Sequence, residues 1–565
     1  MRNALREHEE TPVKVDEREL LEVVRGLHPQ GALKALSISS PRQFSGNTRI
    51  DALAIWERHP AGIKIYRSKA GGIDLFVLAV DEGLFEKDVE EAFLGDIVAG
   101  WLLAPCRALV GRDYLWRYEV LFKRRKVEEA LTGLALEYPH LSAELLIEPR
   151  YFLFENLSKT IRIYPPISSI YLDFKGEGRE KEIESAMRGY SEAIRELAEG
   201  GTLHFKDSCL VFDGGFLEET QRRRFSAVNF LNMVNRTLRP YLIRGFSEVS
   251  ELLNFYFETE SQYNRDFMED KLREEIEDPK KFLHLPTTLG TMSLRNEAGI
   301  EDFIKRMEPL GKISEARLER CGGVLNEVYL LSFRRDEREE KALVKKYQNW
   351  VGFKWFPLAL WTLGTQNFSV LGRSRLEREY AINSLLQRQG YPVPNIHHVD
   401  LNRMLLIREF IEGGSLVDTV KNTLSKGESP DEADRLRRLG RLVARAHSLG
   451  VTIGDCKPEN FIASPSGEIY LIDLEQGARN GKQVWDIAEL LYYSGHYASL
   501  LTDLKHVSDL TRAFVKGYLQ EGGDPRRVEE VGGIQYTKVF SIFTLPQVIY
   551  TISKTCREEA AQWRK

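Results

Sequence analysis

Hydrophobic positions in the first hundred residues change period, and the change predicts one helix followed by strands. In Glu17–Leu27 the apolar residues Leu20, Leu21, Val24 and Leu27 recur at helical spacing, so one helix face is apolar. Three short apolar runs follow at residues 35–38, 50–56 and 73–80, and their length predicts strands. Residues 84–150 read as mostly helical, as do 187–197 and 220–238, whereas Phe152-Leu153-Phe154 and residues 170–174 read as strands. The N-terminal half is therefore expected to be α+β, with more helix than strand.

The pattern breaks over residues 258–312. A charge-rich stretch at 265–277 reads as helical and stops at Asp278-Pro279-Lys280-Lys281, and Leu285-Pro286-Thr287-Thr288-Leu289-Gly290 extends the break. A short amphipathic helix, Ile300–Met307, then leads into strands after Gly311. These changes predict an α+β N-terminal region over 1–257 with a candidate division near 150, a helical connector over 258–312, and a C-terminal domain over 313–565. No internal repeat is visible.

Composition narrows the class. A chain of 565 residues with 42% hydrophobic and 29% charged positions is a multidomain globular protein, neither disordered nor fibrous. No run approaches the ~20 apolar residues of a membrane span, and Met1-Arg2-Asn3-Ala4 leads straight into charge rather than an apolar leader. Cys106, Cys209, Cys321, Cys456 and Cys556 are odd in number and form no C-x-x-C pair, which predicts reduced thiols and a cytoplasmic, non-membrane location. A net charge of -5 excludes a globally basic nucleic-acid coat and leaves room for local basic patches.

Candidate chemistry concentrates in the C-terminal half. Gly454-Asp455-Cys456-Lys457-Pro458-Glu459-Asn460 has the spacing D-x-K-x-x-N, and Glu468-Ile469-Tyr470-Leu471-Ile472-Asp473 is an apolar strand ending in an aspartate. Phosphoryl transfer from ATP needs a carboxylate to orient the attacking hydroxyl, a lysine against the γ-phosphate, and oxygen ligands for Mg²⁺. Asp455, Lys457, and Asn460 with Asp473 supply those roles in that order. An amphipathic helix over 436–449 delivers the chain into this loop.

The segment resembles the catalytic core of the eukaryotic-like kinase superfamily in its atypical branch, and is most similar to RIO kinases and the kinase subunit of the KEOPS tRNA-modification complex. The resemblance covers about residues 315–520 and implies a bilobal kinase-like domain, with a small lobe over about 313–412 and a large lobe over about 413–565. Ile453-Gly454-Asp455 stands where that branch has His-Gly-Asp, and Asp473-Leu474-Glu475 where ordinary kinases have Asp-Phe-Gly. Gly322 and Gly323 lie in a turn between two strand-like runs, suited to a nucleotide flap. Ala342-Leu343-Val344-Lys345 matches the strand lysine of the family, with Lys346 as the alternative in the other register, and Glu379 on helix 375–387 is its expected partner. Backbone groups of Glu409 to Ile411 match the adenine-holding hinge. From Asp473 to Trp485 there is no room for a long activation segment, which argues against an ordinary peptide kinase.

The N-terminal half carries weaker signals. Asp51 and Asp74 resemble two of the three metal-binding aspartates of nucleotidyltransferases, but Leu53 stands at the second position. That resemblance implies a non-catalytic binding relative, the alternative being an unrelated α+β domain. Basic and aromatic clusters at Phe122-Lys123-Arg124-Arg125-Lys126, residues 159–166, Gln221-Arg222-Arg223-Arg224-Phe225, and Arg236, Arg239, Tyr241, Arg244 and Phe246 suit RNA phosphates and bases. Three functions stay open: an ATP- and Mg²⁺-dependent kinase acting on a ribose 2′-hydroxyl of tRNA or another structured RNA; a RIO-like protein serine kinase or autophosphorylating ATPase with a protein substrate; and a nucleotide-binding scaffold whose chemistry has decayed.

Overall fold

The computed structural model describes residues 16–44, 47–104, 107–163, 179–223, 277–295, 299–322, 326–349, 369 and 371–565. The basic stretch at 236–246, residues 170–174, Gly323 and most of 265–277 lie outside them. The described residues form two compact units, one reaching Ser142 and continuing over Leu146–Leu283, the other comprising Ala143–Leu145 and His284–Lys565. Among the described residues no helix is long and apolar enough to cross a membrane.

The first unit opens with α1 (Glu17–Leu27), β1 (Leu33–Ile38), β2 (Arg42–Phe44), β3 (Asn47–Trp56), β4 (Ile63–Ala70) and β5 (Ile73–Asp81). With β6 (Arg107–Val110) these strands make a mixed sheet of order β4-β5-β3-β1-β6, in which β3 and β5 run parallel and β2 pairs with β3. Alternation decides the faces. Ile50, Ala52, Ala54 and Trp56 of β3 join Leu75, Val77 and Ala79 of β5 and the α1 residues Leu20 and Val24 in one core. The opposite set includes Arg49 and Asp51, whose register partners are Asp74 and Phe76. Asp51 is buried and ion-paired to Arg49 at 2.7 Å, and the Arg49 guanidinium lies 3.7 Å from the Phe76 ring centre. Among the described residues no group of three potential metal ligands forms around Asp51 and Asp74.

Helices α2 (Glu82–Glu91), α3 (Arg112–Glu137), α4 (Arg150–Ile163) and α5 (Arg179–Glu199) complete most of this unit. Two expectations are corrected here. Phe152-Leu153-Phe154 belongs to α4, and all three side chains are buried, because packing on several sides buries consecutive helical positions as a strand would. The Lys123 to Lys126 cluster sits inside α3 and serves structural ion pairs. Lys123 bonds Glu119 at 2.6 Å, Arg124 reaches Glu196 at 3.4 Å, Arg125 pairs with Asp96, and Lys126 bonds Glu129 at 2.6 Å and Asp96 at 3.1 Å. With a carboxylate against each cation, this cluster offers little uncompensated charge to an RNA backbone.

The second unit begins with a hairpin of β7 (Leu283–Thr287) and β8 (Gly290–Ser293), its first residue lying at the boundary, followed by α6 (Ile300–Met307). A five-stranded antiparallel sheet follows, made of β9 (Ile313–Gly322), β10 (Asn326–Arg335), β11 (Arg338–Tyr347), β12 (Ile396–Asp400) and β13 (Leu405–Glu409), in the order β9-β10-β11-β13-β12. Ala342, Val344, Leu331, Phe333, Leu405 and Ile407 form one face of this sheet, buried beneath Phe303 and Met307 of α6. Residues 284–312, expected in a connector, therefore belong to this unit, because the sheet needs α6 to cover one face. The other face presents Lys345 to α7 (Gly372–Arg388).

Beyond β13 the chain is mostly helical, with α8 (Val417–Lys426), α9 (Pro430–Ser448), α10 (Gln483–His496), α11 (Leu504–Gln520) and α12 (Pro546–Trp563). Their apolar faces share one core with Trp485, Phe514, Ile552 and Cys556. Helices α9 and α11 approach at Gly440 and Gly517, where an added Cβ would lie 2.1 Å from the Phe514 carbonyl oxygen and 2.0 Å from that of Arg437. The last helix packs through Val548, Ile549, Ile552 and Cys556, as its amphipathic pattern predicts.

Candidate active site

The loop after α9 is shaped before it is charged. Gly454 has φ +76°, and a Cβ there would sit 2.3 Å from the Gln476 carbonyl oxygen, so only glycine lets the chain turn into Asp455. Asp486, fully buried on α10, accepts the backbone N–H groups of Ile453 and Gly454 at 2.8 Å each. His447 joins Asp486 through Nε2 at 3.0 Å and meets the Tyr518 hydroxyl through Nδ1 at 2.9 Å. Ile453 thus needs no polar side chain: its backbone and His447 supply the bonds that hold the loop.

Asp455, Lys457 and Asn460 come together on this frame. Lys457 Nζ lies 2.9 Å from Asp455 Oδ1, and Asn460 Nδ2 donates to Asp455 Oδ2 at 3.1 Å and to its carbonyl at 2.7 Å. Burial pushes the Asp455 carboxyl above its usual range, with Lys457 offsetting part of the rise and the nearby Asp473 adding to it. Glu489, one turn below on α10, accepts from Cys456 N at 2.7 Å and Trp485 Nε1 at 2.9 Å, and burial beside Asp455 raises its carboxyl well above the ordinary range.

A second charged group faces this loop. Lys345 Nζ lies 2.7 Å from Glu379, 3.1 Å from Asp473 and 3.0 Å from Glu475. The three carboxylates offer oxygens within 4.8 Å of one another, bridged by this single ammonium. Arg408 bonds Glu379 at 2.9 Å and also the Ile472 carbonyl, while Tyr347 donates to Glu379. Burial alone would raise Asp473, but Lys345 and Arg408 outweigh it and hold its carboxyl below the usual range. Burial would likewise lower Lys345, but Asp473, Glu379 and Glu475 hold its ammonium above its usual value. Lys346, the alternative in the other register, is half-exposed and 3.8 Å from Glu327.

Sequence spacing does not single out Glu475. Standing where ordinary kinases have glycine, it is buried and binds Lys345, Arg375 at 3.0 Å and Asn326 Nδ2 at 2.7 Å. It therefore ties β11, α7, β10 and the Asp473 loop at one point. Glu475→Gln keeps the side chain's size and removes its charge. The expected cost is about 2 kcal/mol, read as a lower urea midpoint at unchanged slope. An unchanged midpoint would show that the ties are dispensable.

The other described residues that the sequence assigns to a nucleotide site lie at or just past the ends of strands. Gly322 ends β9, exposed, with open space where a Cβ would be. Glu409 ends β13, its N–H donating to the Asn395 carbonyl at 2.8 Å and its carboxylate accepting from Asn395 Nδ2 at 2.7 Å. Ile411 follows it before the turn at Gly413. Between Asp473 and α10 the chain spends its length on a two-residue strand, Ala478–Arg479, paired to Val451–Thr452.

Comparison with known proteins decides the family. The model of the lipopolysaccharide kinase (Kdo/WaaP) family matches residues 334–514. The chain is 30% identical over 161 residues to a probable serine/threonine-protein kinase BUD32 homolog of Archaeoglobus fulgidus, covering 28% of this chain and 74% of that protein. The chain belongs to the Bud32-related atypical kinase family. It is also 26% identical over 159 residues to KEOPS complex subunit Bud32 of Pyrococcus abyssi, covering 28% of this chain and 68% of that one. A probable bifunctional tRNA threonylcarbamoyladenosine biosynthesis protein of Methanocaldococcus jannaschii is 25% identical over 146 residues, 26% of this chain and 25% of its own. This Bud32-related chain is thus a kinase, with an N-terminal unit outside the Kdo/WaaP match.

Proposed function

We propose that the second unit transfers the γ-phosphate of ATP to a hydroxyl of RNA, with a ribose 2′-hydroxyl of tRNA as the acceptor. The observation that carries the chemistry is the half-buried Asp455, held by Lys457 and Asn460, with the ionised Asp473 close enough to act on its charge. Asp455 accepts the hydroxyl proton as the oxygen attacks, and Lys457 balances charge at the γ-phosphate. Lys345, fixed by Glu379, meets the α- and β-phosphates. Backbone groups of Glu409 to Ile411 hold adenine, and Gly322 and Gly323 let the flap approach the phosphates. Asn460 and Asp473 are hard oxygen donors of the kind Mg²⁺ takes, and the depressed Asp473 carboxyl stays ionised as a ligand must. When bound, Mg²⁺ neutralises charge on the β- and γ-phosphates.

The short passage from Asp473 to α10 supports an acceptor other than a docked peptide. Relatives named for the KEOPS complex and for tRNA threonylcarbamoyladenosine synthesis support a tRNA setting. In this reading the N-terminal unit is a non-catalytic substrate reader. The test is transfer of label from γ-labelled ATP into total tRNA or total protein, with Asp473→Asn as control. Label in nuclease-sensitive tRNA, absent with the variant, is expected. Label confined to protein would favour a RIO-like serine kinase.

A further inference from the structure

Four rings crowd beside the catalytic loop, three at the end of α10 and the fourth, Phe543, on the segment before α12. Tyr493 lies 6.0 Å from His496, 6.2 Å from Tyr497 and 5.9 Å from Phe543, and His496 lies 5.6 Å from Phe543. His496 Nδ1 meets the Phe543 carbonyl at 2.9 Å, which fixes the two segments together. Such clusters ordinarily sit in a core, yet His496 and Phe543 are exposed and Tyr493 and Tyr497 only half-buried. Two cations border the rings. Lys457 Nζ is 5.8 Å from the Tyr493 ring centre, and Lys421 Nζ, exposed on α8, is 5.0 Å from that of Tyr497. Among the described residues no carboxylate lies within ion-pair distance of Lys421. Glu459, beside the rings, accepts the Tyr497 hydroxyl.

We propose that Tyr493, His496, Tyr497 and Phe543 form the acceptor shelf of the kinase, and that it takes an unpaired nucleotide of single-stranded RNA. The base stacks on the ring cluster, its flanking phosphate meets Lys421, and the ribose is presented toward Asp455. This rests on the proposed phosphotransfer reading and adds where the acceptor sits. Flat aromatic faces flanked by cations fit a base and its phosphates, because stacking tolerates any base and the cations supply the backbone contact. A purely apolar partner would leave Lys421 unmatched.

The test uses the full chain without ATP, so that binding is read apart from catalysis. A uridine decamer containing 4-thiouridine is photocrosslinked and the adducts are mapped, and its affinity is measured by anisotropy. Adducts at Tyr493, His496 or Phe543 are expected. Tyr493→Leu and His496→Ala are each expected to weaken binding by about tenfold, the size of one lost base–aromatic stack, and Tyr493→Phe to retain it. Tyr550→Ala, an exposed tyrosine elsewhere on α12, serves as the matched control. Adducts confined to other regions, wild-type affinity in both variants, or equal competition by a tyrosine-containing peptide would each overturn the shelf. Shelf adducts without any γ-phosphate transfer would instead sink the phosphotransfer reading and leave the shelf in place.

Discussion

Asp455→Asn is expected to lower kcat for phosphoryl transfer by about 10²- to 10⁴-fold, the range of a lost general base. The amide keeps the shape of the carboxylate and the loop's backbone anchors on Asp486, so the loss reports proton acceptance rather than a displaced loop. The same carboxylate fixes the acid side of the pH profile. A base works only when ionised, and burial raises the pKa of Asp455, so kcat/KM of the wild type is expected to fall with decreasing pH from above the ordinary carboxylate range. An Asp455→Asn enzyme with near-normal kcat, or a wild-type profile flat down to the usual aspartate range, would remove Asp455 from this role.

Lys345→Ala is expected to damage both activity and stability. The ammonium is buried among Glu379, Asp473 and Glu475, and its loss leaves three close carboxylates balanced only by Arg375 and Arg408. Removing one partner of a buried charge set costs about 3–5 kcal/mol, seen as a lower urea midpoint together with loss of transfer. The pH dependence has a definite sign. Asp473 has a depressed pKa in the folded protein, so its pairing stabilises above the unfolded value and is lost as pH falls through the folded one. The gap in stability between wild type and Lys345→Ala should therefore narrow as acid protonates Asp473. A variant as stable as the wild type at neutral pH would contradict this electrostatic account.

Much of the kinase-like unit is visible in spacing alone. Strand alternation puts either Lys345 or Lys346 inward, and a covering helix on the opposite face selects Lys345 by burying Ala342 and Val344. Helical geometry separates Glu379, which meets Lys345, from Glu377, which pairs with Arg373 at 3.0 Å. The D-x-K-x-x-N loop assembles because glycine at 454 is the only residue its turn admits. What spacing hides is charge within apolar surroundings. Arg375 and Arg408 carry no sign of burial in the sequence and Glu475 stands at a broken motif, yet each is buried because it is matched by an opposite charge far away in sequence. The Lys123 to Lys126 cluster errs the other way: it resembles an RNA patch until its carboxylate partners are seen, Glu119 and Glu129 on α3 itself and Asp96 and Glu196 elsewhere. The hairpin at 283–293 reads as a break because Pro286 and Gly290 are strong turn signals, although Pro286 sits within a strand paired to residues 290–293.

The most direct measurement compares label incorporated from γ-labelled and α-labelled ATP by the full-length wild type, Asp455→Asn and Asp473→Asn, with and without Mg²⁺. The account predicts Mg²⁺-dependent incorporation from the γ-label alone, lost in both variants. Incorporation from the α-label, or γ-label transfer that survives both substitutions, would contradict it.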